Sequence, residues 1–170
     1  VVGGRMTIQI GERVPAATLP ESVEFGAACP VAPSPVTTTS ALSGKKVVIF
    51  GIPGAFTPTC SAKHVPGYVQ QLPELKAKGV DEVWCISTND GWVMAAWGKE
   101  LGAIGKVRML GDGTADFAKK LGLEFEVPTM GVRVKRFSML VEDGVVKSLN
   151  VEAPGKFEVS DSGSMLKQLG

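Results

Sequence analysis

The sequence predicts an α/β domain in which helices cover both faces of a central mixed β-sheet. Two apolar runs, 47–50 and 82–87, have the β-branched and aromatic composition of buried strands. A helical segment lies between them, and strand, helix and strand in this order form a βαβ unit, which is normally parallel. Farther along, the turn residues 142–144 separate two alternating stretches and predict an antiparallel hairpin.

Length and composition exclude several classes of protein. At 170 residues the chain fits one domain with a sizeable core, and we expect 1–170 to form a single domain. Hydrophobic residues make up 44% and charged residues 21%, as in ordinary globular proteins. The formal net charge of +1 gives no reason to expect nucleic acid or a membrane surface as a partner. No apolar run approaches the roughly 20 residues that a membrane-spanning helix needs.

The N-terminus and the cysteines suggest a compartment. Residues 1–5 lack an initiator Met and a signal-peptide core, so they are either a tag remnant or the end left by removal of a transit peptide. Three cysteines, Cys29, Cys60 and Cys85, are too few and odd in number for a secreted disulfide scaffold. We therefore expect the cytoplasm or an organellar matrix, and a chloroplast or mitochondrion if a transit peptide was removed.

The remaining elements are predicted from turn residues and apolar spacing. Residues 26–43 are rich in proline and small residues and are expected to form a surface excursion. A helix after Cys60 should run to about Lys78, with a kink near Pro66. The other predictions are strands 17–25 and 36–38, a helical turn 40–44, helix 91–101 capped by Asp90, strand 107–110, helix 115–121 capped by Thr114, strands 134–141 and 145–151, and helix 160–169. Together they describe a thioredoxin-like sheet.

The loop after the first buried strand is the candidate for chemistry. It is rich in Gly, Pro and Thr, and it places Cys60 at the start of a helix. Unpaired backbone N–H groups and the positive end of the helix dipole favour a thiolate there, and such sites lower a cysteine pKa from ~8.5 to roughly 3.5–7.5. His64 is the only histidine, and no Cys/His cluster has the spacing of metal ligands, so no metal site is predicted.

The same loop resembles the active site of a known family. Pro53, Thr57 and Cys60 stand in the pattern P-x3-T-x2-C, which is similar to that of the peroxiredoxins. The agreement extends over roughly 44–169 and is most specific to the type II, or peroxiredoxin-5, branch. The segments that carry it are 54–61, 64–68, 87–90, 97–99 and 135–139.

The resemblance implies a role for each site residue. Cys60 attacks the terminal oxygen of a hydroperoxide as a thiolate and becomes a sulfenic acid. Thr57 orients the peroxide through its hydroxyl, and Pro53 shapes the pocket and shields the thiolate. Arg136 stabilises the thiolate and the charge that develops as the O–O bond breaks. Backbone N–H groups around Thr59 and Cys60 complete the site, and the family requires no cofactor or metal.

Arg133 competes with Arg136 for the role of the site arginine. In a continuous strand Arg136 and Val134 have the same parity and Arg133 has the opposite one, so both arginines are not expected to point inward. The family pattern of an arginine directly before Phe137 favours Arg136.

The recycling route depends on the other cysteines. Cys85 lies 25 residues after Cys60, where many type II members carry a resolving cysteine. A single Cys in a buried strand is otherwise a small core residue, too far from Cys60 to pair without local unfolding, and both interpretations stay open. Ser160 stands at about the position of the C-terminal resolving cysteine of animal-like members, so that route is closed. Cys29, beside Pro30, matches no family motif and is expected to be a spectator.

The resemblance implies a thiol peroxidase that reduces hydrogen peroxide and alkyl hydroperoxides. Its electrons would come from glutathione and glutaredoxin or from thioredoxin, and the family implies a homodimer. One alternative is a redox-sensing interaction protein in which oxidised Cys60 passes a disulfide to a partner. Another is a cysteine hydrolase in which His64, four residues after Cys60, acts as the base. We expect His64 instead to be a structural residue near the site.

Overall fold

The computed structural model describes residues 7–58, 63–153 and 155–169. In this part of the chain the central sheet contains five strands, and it is mixed, as predicted. These strands are β3 (Lys46–Gly51), β4 (Glu82–Ser87), β5 (Arg108–Gly111), β8 (Phe137–Glu142) and β9 (Val145–Val151). Their order is β5-β4-β3-β8-β9, with β3, β4 and β5 parallel and β8 antiparallel to both of its neighbours.

Shorter elements surround the sheet. The helices are α1 (Thr38–Leu42), α2 (Val65–Gln70), α3 (Leu72–Ala77), α4 (Gly91–Glu100), α5 (Asp116–Leu121) and α6 (Ser162–Leu169). The other strands are β1 (Thr18–Glu21), β2 (Ser34–Thr37), β6 (Glu124–Val127) and β7 (Gly131–Val134), and they form two antiparallel pairs, β1 with β2 and β6 with β7. No helix among the described residues is both long and apolar enough to cross a membrane.

Side chains that alternate along β4 fill a separate core on each face of the sheet. Trp84 packs with Phe117 under α1 and α5. Cys85, the next residue, packs on the other face with Phe50 and Tyr68, under α2, α3, α4 and α6. Both faces are therefore covered, as the strand composition predicts, and Cys85 lies inside the core that borders the candidate loop.

The helix after the candidate loop is interrupted at two places. Lys63 and His64 are π-helical, and α2 with Pro66 follows directly, so the chain departs from a regular α-helix near Pro66, as the sequence predicts. A second interruption is at Gln71, whose backbone ψ of 9° leaves the helical range, and α3 then begins with Leu72 and Pro73. The second proline accounts for this second break.

The predicted strand 134–141 is split into two strands that belong to different sheets. Its first residue, Val134, ends β7, which pairs with β6, and β8 begins only at Phe137. The backbone N–H of Lys135 donates to Leu123 O at 2.7 Å, which extends the pairing with β6 by one residue before β8 begins. Arg136 therefore lies at a junction, and strand parity does not decide which way its side chain points.

The structure also bears on the predictions for the N-terminal excursion and for the cap of α5. The predicted excursion, 26–43, contains β2, which pairs with the preceding β1 from Thr18–Thr37 to Glu21–Ser34, and the segment between the two strands leaves Cys29 exposed. The cap of α5 is not Thr114. The carboxylate of Asp112 accepts hydrogen bonds from the backbone N–H groups at the start of the helix, at 3.0 and 2.8 Å.

Candidate active site

The candidate loop, residues 52–58, lies at the carboxyl ends of the parallel strands β3 and β4. The side chain of Asn89, which follows β4, links the loop after β3 to the end of β4. Its Oδ1 atom accepts hydrogen bonds from the backbone N–H of Ala55 at 2.9 Å and from the hydroxyl of Ser87 at 2.8 Å. These contacts give a physical role to residues 87–90, one of the segments that carry the family resemblance.

Thr57 has a fixed orientation within this loop. Its hydroxyl donates to Gly54 O at 2.7 Å, and the side chain is half-buried. Because the hydroxyl proton is used, its lone pairs remain available to accept a hydrogen bond. A Cβ on Gly54 would lie 3.3 Å from the Thr57 methyl and 3.2 Å from Nη1 of Arg133. A larger residue at position 54 would therefore require these two side chains to move by a few tenths of an ångström.

Arg133 reaches the candidate loop from β7. Its Nη1 donates to Pro53 O at 3.3 Å, and its Nε donates to Met130 O at 3.1 Å. The expectation that Arg133 and Arg136 cannot both point inward is therefore wrong. The break between β7 and β8 allows both arginines to approach this region, Arg133 at the loop backbone and Arg136 at His64.

Arg136 is paired with His64. Its Nη1 lies 2.8 Å from Nδ1 of the imidazole, and its guanidinium carbon lies 5.7 Å from the ring centroid of Phe157. A guanidinium can only donate, so Nδ1 of His64 accepts and the ring proton is on Nε2. That Nε2 proton is donated to Ser160 O at 3.0 Å. The contacts therefore fix both the tautomer of His64 and the position of the arginine.

His64 stays neutral at physiological pH. Burial and, next, the positive charge of Arg136 lower the pKa of His64 from 6.5 to about 3. Both ring nitrogens already have partners, so no lone pair is left to take a proton from a thiol. This geometry argues against the cysteine hydrolase, which needs His64 as a general base.

The buried carboxylate of Glu152 binds the segment that contains Ser160, the partner of His64. Glu152 accepts hydrogen bonds from the backbone N–H of Ser160 at 2.8 Å and from its hydroxyl at 2.7 Å. It also accepts from the backbone N–H groups of Glu158 and Val159 at 2.8 Å. Burial raises the pKa of Glu152, but these hydrogen bonds outweigh it, and the net shift is downward.

Ser160 is the shared partner of two aromatic side chains. Its carbonyl oxygen accepts from Tyr68 Oη at 2.8 Å as well as from His64. Sequence reasoning identified Ser160 only as a substitute for a cysteine, and it missed Glu152 altogether. Neither residue lies in a motif of the candidate loop, and a contact across 96 positions leaves no local pattern in the sequence.

The cysteines differ in what the structure shows. Thr59 and Cys60 lie outside the described residues, between Thr57 and His64 in the sequence. Cys85 is completely buried at the centre of β4, in register with Phe50 on β3. Among the described residues no group of three or more His, Cys, Asp or Glu side chains is placed to hold a metal ion.

The chain is similar in sequence to known proteins. Residues 9–166 match the family model described as Redoxin. The chain is 43% identical to Peroxiredoxin-2E, chloroplastic, of Arabidopsis thaliana over 96% of this chain and 70% of that protein. It is 48% identical to Peroxiredoxin-2B of the same organism over 76% of this chain and 82% of that protein.

Solved structures agree with these relatives. Reduced Prx3 of Vibrio vulnificus in complex with hydrogen peroxide superposes with a TM-score of 0.88, at 42% identity over 96% of this chain and 100% of that one. A Burkholderia cenocepacia protein described as a thioredoxin reductase superposes with a TM-score of 0.92, at 50% identity over 97% and 99% of the two chains. These superpositions confirm the predicted thioredoxin-like fold. The chain belongs to the Redoxin family and, within it, to the type II peroxiredoxins, which are thiol-dependent peroxidases.

Proposed function

We propose that this peroxidase reduces hydrogen peroxide and alkyl hydroperoxides through Cys60, assisted by Thr57, Pro53 and Arg136. The observation that carries the proposal is the pairing of Arg136 with a neutral His64. It holds a permanent cation at His64, four residues after Cys60 in the sequence, without a group that would compete for the thiol proton. A fixed cation stabilises both the thiolate and the developing negative charge on the leaving oxygen.

The first half-reaction balances without a cofactor. The thiol of Cys60 loses its proton, and the thiolate attacks the terminal oxygen of the peroxide. An S–O bond forms and the O–O bond breaks, so the sulfur is oxidised by two electrons and the peroxide is reduced by two. The leaving alkoxide or hydroxide takes up a proton and departs as alcohol or water. Thr57 accepts a hydrogen bond from the peroxide while donating to Gly54 O.

An external thiol completes the cycle. We propose that glutathione and glutaredoxin, or thioredoxin, reduce the sulfenic acid: the first thiol forms a mixed disulfide with Cys60 and releases water, and a second thiol then frees Cys60. Two observations support an external donor. Ser160 occupies the place of a C-terminal resolving cysteine, and Cys85 is buried inside the core.

Exposed apolar side chains beside the loop support a homodimer. Phe56 is 57% exposed, Trp92 is 49% exposed and Met130 is 39% exposed. Large apolar groups gathered near one region of a surface favour association with another protein. We propose that a second copy of the chain covers them.

We also propose a reducing compartment, the cytoplasm or an organellar matrix. The small number of cysteines supports it. The relative named chloroplastic supports the organellar alternative.

The test is consumption of hydrogen peroxide by the wild type, Cys60→Ser and Thr57→Val, each with glutathione plus glutaredoxin and with thioredoxin. We expect Cys60→Ser to be inactive and Thr57→Val to be impaired by about 100-fold or more in kcat/KM for peroxide, because the substrate loses its orienting group. Undiminished activity of Cys60→Ser would overturn the assignment of Cys60. Slow turnover with either donor, together with a stable mixed disulfide to one cellular protein, would favour the redox-sensing alternative.

A further inference from the structure

A cavity of about 350 Å³ lies next to Arg136, on the side formed by the chain after β9. Two of its lining residues, Pro53 and Arg136, also belong to the proposed peroxide site. The rest of the lining is Phe125, Lys135, Val151, Glu152, Ala153, Gly155, Lys156 and Phe157. Hydrogen peroxide needs no space of this size, so the mechanism described above leaves the cavity without a function.

The walls of the cavity are mainly apolar. Phe125 on β6 and Phe157 after β9 each contribute an aromatic ring, and Val151 and Ala153 add aliphatic surface. The position of Phe157 is fixed, because its ring lies 4.9 Å from the His64 ring and under the Arg136 guanidinium. A cavity with such walls favours a ligand with an apolar body of several carbon atoms.

The charges around the cavity are mostly positive. Lys135, Arg136 and Lys156 supply three cations, and among the described residues of the lining only Glu152 is acidic. The Glu152 carboxylate already accepts hydrogen bonds from the segment 158–160 and is buried. Within the described part of the chain, neither lysine ammonium has a hydrogen-bond or ion-pair partner. The charge therefore complements a carboxylate on the ligand.

We propose that this cavity binds the tail of an organic hydroperoxide that combines an apolar chain with a carboxylate, as a fatty-acid hydroperoxide does. The apolar chain contacts Phe125 and Val151, the carboxylate pairs with Lys135 and Lys156, and the peroxide group lies at Arg136. The proposal rests on the proposed peroxidase function, and it adds a preference among substrates. The chemistry at sulfur is unchanged: the O–O bond breaks and the tail leaves as the hydroxy acid.

Steady-state kinetics can isolate this preference. In a two-step cycle with an external thiol, kcat/KM for peroxide reports the peroxide step alone. We would compare linoleic acid hydroperoxide, below its micelle concentration, with its methyl ester and with hydrogen peroxide. The variants are Lys135→Gln/Lys156→Gln, Phe125→Ala and, as a matched control, Lys106→Gln, an exposed lysine outside this cavity.

The expected result is a wild-type preference for the acid over its methyl ester. The double lysine variant should lower the acid-to-hydrogen-peroxide ratio of kcat/KM by about 3- to 10-fold, because two exposed ion pairs are lost. It should leave the ester-to-hydrogen-peroxide ratio unchanged. Phe125→Ala should lower both ratios by about 5- to 30-fold through lost apolar contact, and Lys106→Gln should alter neither.

Two results would overturn the proposal while the peroxidase function stands. One is equal use of acid and ester, with ratios that the lysine variants leave unchanged. The other is a change confined to kcat/KM for glutathione, which would assign the cavity to the reductant. If the wild type consumes no hydrogen peroxide at all, the proposed function itself fails, so the two failures are distinguishable.

Discussion

Nδ1 of His64 lies 2.8 Å from Nη1 of Arg136, and the opposite ring nitrogen is bonded to Ser160 O. Neither nitrogen of His64 is therefore open to substrate. We expect the histidine to act on the reaction through the arginine, as a positioning residue. This differs from the interpretation of His64 as a merely structural neighbour of the site.

We expect His64→Ala to lower kcat/KM for peroxide by about 10- to 100-fold, because the guanidinium loses its orientation. His64→Gln should recover much of the activity, since an amide can accept from Arg136 and donate to Ser160 O at the same time. The decisive measurement is a double-mutant cycle. If His64 acts through the arginine, adding His64→Ala to Arg136→Ala should cost little further activity. Fully additive losses would contradict this role.

The depressed pKa of His64 makes folding stability depend on pH. In the unfolded chain this group takes up a proton near pH 6.5, whereas in the folded protein it does so near pH 3. The stability is thus fully present above pH 6.5 and decreases as the pH falls toward 3, by up to about 1.4 kcal/mol per pH unit from this group. Urea unfolding of the wild type and His64→Gln at pH 7 and pH 5 measures it.

The variant should lose less stability than the wild type between these two pH values. Glu152, whose pKa is lowered, contributes in the same direction but mainly below the ordinary carboxyl range. An identical pH slope for the wild type and His64→Gln would show that His64 is not held neutral.

We expect Cys85→Ala to keep at least half of the wild-type turnover with glutathione and glutaredoxin. The thiol is buried between the sheet and α4, so the substitution should affect stability, by about 1 kcal/mol, more than recycling. Peroxide consumption and urea unfolding measure the two effects, with Cys29→Ser as the control for an exposed cysteine. A well-folded Cys85→Ala protein that stops at the sulfenic acid with every donor would instead identify Cys85 as the resolving cysteine.

The proposed homodimer predicts a specific effect at Trp92. Trp92→Glu places a charge on an apolar surface that a second copy would cover, and we expect the dimer dissociation constant to rise by about 30-fold or more. Sedimentation velocity over a range of protein concentrations measures this constant. Val23→Glu is the matched control, because Val23 is similarly exposed but lies in the segment between β1 and β2. A wild type that sediments as a monomer at all concentrations would contradict the dimer.

Composition and periodicity predicted the parts of the fold that local physics decides. The buried strands β3 and β4 and the hairpin of β8 and β9 follow from β-branched runs and a turn, and the structure confirms them. The split before Phe137 could not be predicted in this way. Residues 131–141 alternate well enough for one strand, and only the pairing of β7 with β6, a short partner with mixed burial, separates them.

The residues of the candidate site likewise divide into those that a local sequence pattern predicts and those that only the packing of distant elements brings together. Pro53, Thr57 and Cys60 lie within eight residues and form a local pattern that the sequence displays. The support of Arg136 comes from His64 and, beyond it, from Ser160 and Glu152, which join separate parts of the chain. Such contacts depend on how the elements pack, and no spacing in the sequence encodes them.

Ser160 has a consequence for how the enzyme moves during its cycle. A thiol at this position would have to leave the Glu152 carboxylate and expose the acceptor that His64 and Tyr68 share, so every turnover would disassemble the support of the arginine. With serine, this chain can stay closed around Arg136 from one peroxide to the next. If an outside thiol reduces Cys60, as we propose, we expect the rate of recycling to depend on how fast that thiol arrives, and an abundant reductant to raise this rate without any rearrangement of the protein.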